Sequence, residues 1–333
     1  MNRSKSPTVL ITGAGGPAIP TIIENLRKKI PDIRIIAGDM NRYAVGFHYA
    51  DLGVVLPAGD DEKFLPFVKE VVNNQSVSII ISVVDEELIK LGTLECESLK
   101  VIQPTNDFIE LCLNKINLFD RLKKLNIPVP VTIKAFNRRM HKLLFPIIIK
   151  PIIGRGSRGV AIAWNEDELE KKLLRSEYKV EDLLIQEYIQ GEEYTISVVA
   201  WRDNIIRAIV PKHVLLKQGV TKLAKTEKNN IISDYCEVMH NALNPRGPYN
   251  VQLILDKSSG HPYLFEINPR YSTTATLTIA SGVDEVAGII EYIQNGIINF
   301  NNGNFEDNLY MARRIQDVYL KGDDYTKVNV SHG

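Results

Sequence analysis

Residues 250–270 read Asn250-Val251-Gln252-Leu253-Ile254-Leu255-Asp256-Lys257-Ser258-Ser259-Gly260-His261-Pro262-Tyr263-Leu264-Phe265-Glu266-Ile267-Asn268-Pro269-Arg270. Two apolar runs flank the polar turn Lys257-Ser258-Ser259-Gly260, the pattern of a hairpin. Side chains alternate along a strand, so Asn250 and Gln252 share a face, and Glu266 and Asn268 share a face of the second strand. Closing the hairpin brings those faces together. One carboxylate among amide oxygens is a hard-oxygen set suited to Mg²⁺ already carried on a nucleotide's phosphates. Buried amides that merely tie down strand ends would show the same pattern, and the hairpin alone leaves both readings open.

Upstream, Ile147-Ile148-Ile149-Lys150-Pro151 is an apolar strand ending in a lysine, followed by Gly154-Arg155-Gly156-Ser157-Arg158-Gly159-Val160 and another short strand. A strand–glycine loop–strand unit can fold over phosphates, offering backbone amides, the Ser157 hydroxyl and arginine charge. It lacks the Gly-Lys-Ser/Thr ending that opens a helix, so it is not a Walker loop. Gln186-Glu187-Tyr188-Ile189-Gln190-Gly191-Glu192-Glu193-Tyr194-Thr195 is an acidic turn between two strands. Such a segment can present backbone groups to an adenine edge and a carboxylate to a ribose.

At the N-terminus, strand Thr8–Thr12 runs into Gly13-Ala14-Gly15-Gly16-Pro17-Ala18, with Asp39 after a second strand. This fits the dinucleotide fingerprint, in which an acid follows about twenty residues on. Pro17 removes one helix-start amide, and a glycine turn that only packs helix on sheet reads the same way. Helices at 18–29, 64–73 and 86–99 alternate with strands at 8–12, 34–37 and 78–84, which implies a parallel sheet. A helix at 107–125 is stopped by Asn126-Ile127-Pro128-Val129-Pro130, and beyond Pro146 the chain becomes strand-rich with few helices, as antiparallel sheets do.

The 333 residues allow two or three domains, and 44% hydrophobic with 24% charged residues is ordinary for a globular chain. Forty Lys and Arg balance forty Asp and Glu, so no global field favours nucleic acid or an anionic membrane. Cys96, Cys112 and Cys236 are too few and too scattered for a disulfide framework or a cysteine-rich zinc site, and six isolated histidines form no nucleophilic set. The first apolar stretch breaks at Gly13, too short for a secretory leader, and no run is long enough to span a membrane. A cytoplasmic protein is expected.

Taken in order, these signals resemble the ATP-grasp superfamily, and within it the synthetase halves of carbamoyl phosphate synthetase large subunits. The resemblance rests on the Glu-x-Asn-Pro-Arg end, with Gln252 fourteen residues before Glu266, on the Lys150-Pro151 loop and on the 186–195 hinge. It implies a Rossmann-like pre-ATP-grasp α/β domain at 1–106 and a small lid subdomain with its connecting helix at 107–185. A large subdomain bearing the metal site at 186–320 and a disordered tail at 321–333 would follow. The resemblance assigns Lys115 and Lys150 to the phosphates, with Gly154, Arg155, Gly156, Ser157 and Gly159 in the lid. Gln186 would meet the adenine amino group, the backbones of Glu187 and Ile189 the adenine edge, and Glu193 the ribose. Gln252, Glu266 and Asn268 would hold two Mg²⁺ or Mn²⁺ ions, and Arg270 would face the transferred phosphoryl group. Lys212, His213 and Lys217 fall where relatives line the phosphate and acceptor region, with plain surface charge as the other reading.

The function implied is ATP-dependent C–N ligation of a small carboxylate to an amine, by a cytoplasmic protein that is no nucleic-acid or membrane binder and that forms a homodimer. Only one synthetase half is present, with no glutaminase pattern and no second ATP site. A complete carbamoyl phosphate synthetase needs two such halves and a glutaminase, so this departure counts against carbamoyl phosphate production itself; kinase-like or carbamoyl-phosphate-forming activity is the runner-up to ligation. An NAD-dependent oxidoreductase built on the glycine turn and a nucleotide-sensing module without turnover are readings from other classes.

Overall fold

The computed structural model describes residues 6–154, 156, 158–296 and 300–319. The expected tail at 321–333 lies outside them, as do Arg155 and Ser157 of the lid. The N-terminal unit runs β1 (Thr8–Thr12), α1 (Ile19–Lys29), β2 (Arg34–Asp39), β3 (Leu52–Val55), α2 (Phe64–Gln75), β4 (Ile79–Ser82), α3 (Asp85–Gly92) and β5 (Lys100–Val101). Its five strands are parallel in the order β3-β2-β1-β4-β5. The order reverses beside β1, and crevices at such a switch point open at the carboxyl ends of the strands. Val9, Leu10 and Ile11 are wholly buried because helices cover both faces. The helix expected at 86–99 ends at Gly92, and β5 follows it.

Two helices replace the one expected at 107–125: α4 (Asn106–Leu113) and α5 (Lys115–Lys124). The break falls at Asn114, whose side chain caps α5 by accepting from Asn117 N at 3.1 Å. The small subdomain follows with β6 (Thr132–Lys134), β7 (Ile147–Pro151), β8 (Ala161–Ala163), α6 (Glu166–Leu174) and β9 (Leu183–Glu187), its antiparallel strands ordered β6-β9-β7-β8. Because β9 runs to Glu187, Gln186 and Glu187 belong to this sheet rather than to the unit after it.

The large subdomain contains β10 (Gly191–Ala200), β11 (Ile206–Gln218), β12 (Val220–Thr226), α7 (Asn230–Leu243), β13 (Tyr249–Asp256), β14 (Pro262–Asn268), α8 (Ala275–Ala280), α9 (Ala287–Asn295) and β15 (Tyr310–Ala312). Its antiparallel sheet is ordered β14-β13-β10-β11-β12-β15. The three helices were not anticipated. One apolar core joins β1 and α1 to Val199, Trp201, Ile289 and Ile290, so the N-terminal sheet packs directly on the large subdomain. Among the described residues, no helix is long and apolar enough to cross a membrane.

Candidate active site

A cleft of about 570 Å³ opens between the small and large sheets, and Lys115, Lys150, Gln186, Glu193, Gln252 and Glu266 line it. The hairpin β13–β14 supplies its floor. Gln252 lies opposite Glu266 and Asn250 opposite Asn268, with a bulge directly after Gln252. Asn250 is spent on structure, since its Nδ2 donates to Thr195 Oγ1 and to Ile196 O, each at 2.9 Å. Gln252, Glu266 and Asn268 remain as oxygen donors. Among the described residues no group of three or more His, Cys, Asp or Glu side chains could hold a metal. A divalent ion here would rest on one carboxylate, two amides and the phosphate oxygens of its nucleotide.

The two expected lysines reach the cleft from different elements. Lys115 opens α5; its Nζ donates to Gly154 O at 2.8 Å and lies 3.3 Å from Glu266 Oε1. Lys150 is the last residue but one of buried β7 and is only 5% exposed. Its Nζ donates to Phe265 O at 3.0 Å and sits 5.5 Å from the ring centres of Phe119 and Phe265. Burial pulls the Lys150 ammonium down to about 7; Glu266 opposes the fall, and Lys115 and Lys217 add to it. An ammonium held this far from water favours a polyphosphate that restores its charge.

At the opposite end, Gln186 is 1% exposed and donates through Nε2 to Thr132 Oγ1 at 2.9 Å. Its Oε1 is buried without any hydrogen-bond partner. An orphaned acceptor on the cleft wall costs free energy unless a ligand donor meets it, and an exocyclic adenine amino group is such a donor. The residues present therefore fit Mg·ATP. The Glu187 N–H is already given to Val131 O at 2.8 Å, and its carboxylate accepts from Val131 N at 3.1 Å. Of the Glu187 backbone only the carbonyl is left for an adenine edge, while Ile189 lines the cleft. Glu193 is ion-paired to Lys217, whose Nζ also stands 3.5 Å from Gln252 Oε1. In the lid, Gly159 needs its φ of +70°, and a Cβ there would meet the Tyr178 ring at 2.6 Å.

Three expected residues are already engaged by protein partners. Arg270 is clamped by Asp85 of α3, Nε to Oδ1 at 2.6 Å and Nη2 to Oδ2 at 3.2 Å, and touches Asn268 Oδ1 at 3.4 Å. Lys212 shares the sheet face of Gln252, because both lie opposite Thr195. Yet it is wholly buried and donates to Ser197 Oγ and Thr278 Oγ1, each at 2.7 Å, so neither a surface nor a cleft-lining role applies. His213 stacks on Tyr194 with ring centres 5.0 Å apart. Asp85, Glu86 and Glu87 were not anticipated as site residues. Their signal was present as an acidic triplet straight after a strand ending at a switch point.

The glycine turn does not present a pyrophosphate cradle. Ala14 N donates to Gly38 O at 3.1 Å, Gly15 N to Asp39 Oδ2 at 2.7 Å, and Gly16 N to Gly13 O at 2.9 Å. Asp39 Oδ1 accepts from Asn41 N at 2.8 Å, so the carboxylate expected for a ribose holds the turn together instead.

Two family models match: an ATP-grasp domain over residues 112–274 and a PylC-like N-terminal domain over residues 9–102. The carbamoyl phosphate synthase large chain of Pyrococcus furiosus is 26% identical over 275 residues, which cover 74% of this chain and 26% of that protein. This chain thus spans about a quarter of that relative's length. Among solved structures, the L-amino acid ligase from Bacillus licheniformis superposes with a TM-score of 0.68 at 18% identity, covering 88% of this chain and 75% of that one. N5-carboxyaminoimidazole synthetase from Staphylococcus aureus complexed with ADP gives 0.70 at 17% identity, covering 94% and 82%. The chain carries an ATP-grasp domain behind a PylC-like N-terminal domain.

Proposed function

We propose that this protein is an ATP-dependent carboxylate–amine ligase acting on small molecules. The observation that carries the reading is the meeting of Glu266 with Lys115 at 3.3 Å in a cleft that Lys150, Gln186 and Gln252 also line. That arrangement holds cations, carboxylate and amide oxygens where a triphosphate and its metals need them, with an unsatisfied acceptor at the far end for the base. The L-amino acid ligase likeness supports the same reaction class.

Bound Mg·ATP, with two ions, supplies the γ-phosphoryl group. In this reading Gln252, Glu266 and Asn268 hold the ions, Lys115 and Lys150 neutralise the phosphates, and the lid glycines close over them. A substrate carboxylate oxygen takes the γ-phosphoryl as ADP leaves; an amine then attacks the acyl carbon, phosphate leaves, and a proton is lost from nitrogen. Catalysis of this kind is positioning and electrostatics and requires no side-chain nucleophile. Water exclusion by the lid protects the acyl phosphate. ADP release over a matrix of carboxylates and amines, with product mass as readout, tests the proposal. Release that requires both partners supports it, and release with a carboxylate alone, giving a stable phosphorylated product, favours the kinase-like alternative.

A further inference from the structure

In the small sheet, Gln186 of β9 lies opposite Thr132 of β6 on one side and opposite Ile148 of β7 on the other. Residues directly opposite one another in an antiparallel pair share a face, and Ile148 and Gln186 line the cleft. Thr132 therefore stands on the cleft face of the sheet, next to Gln186. The pairing is pinned just beyond it: Glu187 N donates to Val131 O at 2.8 Å, and Val131 N donates to Glu187 Oε2 at 3.1 Å.

The Thr132 hydroxyl has a single proton, and its neighbours decide where that proton goes. Thr132 Oγ1 lies 2.9 Å from Pro130 O, and a carbonyl oxygen can only accept, so the hydroxyl donates there. Toward the Gln186 amide, also at 2.9 Å, the same oxygen has only lone pairs left and must accept. The amide atom that faces Thr132 is thus the nitrogen, and Oε1 is turned away from it. That Oε1 is buried and has no hydrogen-bond partner. An amide turned the other way would set Oε1 against Oγ1 with no proton between them, so Pro130 and Thr132 together fix which end of Gln186 is offered to a ligand. Thr132 is 8% exposed and Gln186 1%, which leaves bulk water little part in the choice.

We propose that Thr132 is the positioning residue that sets the nucleobase preference of the cleft, holding the Gln186 amide so that Oε1 accepts from a purine amino group and repels a purine oxo group. An exocyclic amino group satisfies the orphaned acceptor, whereas an oxo group meets it lone pair to lone pair, and buried hydrogen-bonding groups discriminate steeply in such cases. Thr132 acts through Gln186 and needs no contact with the base. The inference rests on the nucleotide cleft of the proposed ligase and adds the residue that determines its choice of base.

Calorimetry with Mg·ATP and Mg·ITP tests it, because the two bases differ only in an amino group exchanged for an oxo group and in the adjacent ring proton. Wild type should bind Mg·ATP roughly tenfold or more tighter than Mg·ITP. Thr132→Val keeps the shape but removes the hydroxyl and frees the amide to turn, so the preference should narrow to about threefold or less. Thr132→Ser keeps the hydroxyl and should keep the preference. A ratio of two affinities read on one preparation does not move with a merely structural loss. An unchanged ratio in Thr132→Val, a lost preference in Thr132→Ser, or equal binding of the two nucleotides by wild type therefore overturns the proposal. Should Thr132→Val fail to fold, Thr132→Cys takes its place, since a thiol is a weak donor and a weak acceptor; there too the ratio should narrow, and an unchanged ratio overturns the proposal. Wild type that binds neither nucleotide sinks the proposal together with the ligase reading. A Thr132-dependent preference without any joining of carboxylate to amine sinks the ligase reading alone, and joining without a base preference sinks the Thr132 assignment alone.

Discussion

Gly13–Gly16 and Gly154–Gly159 both follow an apolar strand and both offer backbone amides at a strand end, but they use those amides differently. In the first turn Ala14, Gly15 and Gly16 donate to Gly38, Asp39 and Gly13, and the loop is closed on itself. In the second, among the described residues, no backbone hydrogen bond outside the strands starts from Gly154, Gly156, Arg158 or Gly159. One glycine turn is a packed piece of the N-terminal domain; in the other, those four amides are given to no backbone acceptor among the described residues. The difference teaches that glycine spacing reports backbone freedom, while the neighbouring acceptors decide what that freedom is for.

The comparison breaks first if the cleft under the second turn is not a nucleotide site. Glu266→Gln keeps the size and one oxygen but removes the charge set against the metal ions and Lys115, so turnover should fall on the order of 10³-fold with melting temperature nearly kept. A destabilised yet active variant would make Glu266 a structural residue. Lys150→Met should weaken Mg·ATP binding by roughly 10–100-fold, since a buried charged contact to phosphate is lost. The sign of its pH effect follows from the direction of the displacement. Lys150 titrates near 7 when folded against an ordinary 10.5, so between those values the unfolded chain holds the extra proton and stability rises with pH. Bound phosphates return the proton, so Mg·ATP binding at pH 8 should take up close to one proton in wild type and none at this site in Lys150→Met. Calorimetry in buffers of different ionisation enthalpy reads this directly.

The glycines themselves sharpen the contrast. Gly13 has a φ of +74°, and a Cβ would sit 2.7 Å from the Cγ2 atoms of Val83 and Val84. Gly13→Ala should cost about 2–4 kcal/mol of stability through backbone strain and overpacking, with Mg·ATP affinity kept. Gly156 has a φ of +63° and nothing within 4 Å of a Cβ, so Gly156→Ala should cost about 1 kcal/mol or less in the melt and appear in turnover instead. Equal effects of the two substitutions on stability would erase the distinction drawn here.

Much of this arrangement was legible because it is local. Thr8–Thr12 reads as a strand to the residue, since an apolar run is bounded by Pro7 and Gly13. The pairing of Gln252 with Glu266 follows from period two across one short turn. The helix break at Asn114 was hidden because apolar residues continue on both sides, and only the capping asparagine marks it. Helix α7 carried a readable signal in Ile232, Tyr235, Cys236, Met239 and His240, all buried at helical spacing. What no local pattern contains is the partner of a charge far along the chain. Arg270 and Asp85 are 185 residues apart, and Lys212 meets Thr278 at a separation of 66. Folding, not spacing, assigns those two cations to protein acceptors and leaves Lys150 facing the cleft.

A further expected effect concerns the closed turn. Glu87 is linked to β1 through Thr12 and to β4 through Ser82, so its ionisation bears on the strand ends that support Gly13–Gly16. Its carboxyl titrates near 7 when folded against an ordinary 4.5. Between those values the folded protein holds the extra proton, so this group lowers stability as pH rises through the window. The groups around it are Asp39 on β2, Glu86 on α3, Asp60 and Arg158, and all remain in Glu87→Gln. Other raised carboxyls, Glu285 and Glu291, also remain, so the difference between wild type and variant isolates Glu87. Denaturant unfolding of both proteins from pH 4.5 to pH 7.5 should show wild type losing about 1–2 kcal/mol relative to the variant. A flat difference would mean that Glu87 is ionised throughout and already satisfied within the protein. The support that Glu87 gives the first glycine turn through Thr12 and Ser82 would then be independent of pH across this window.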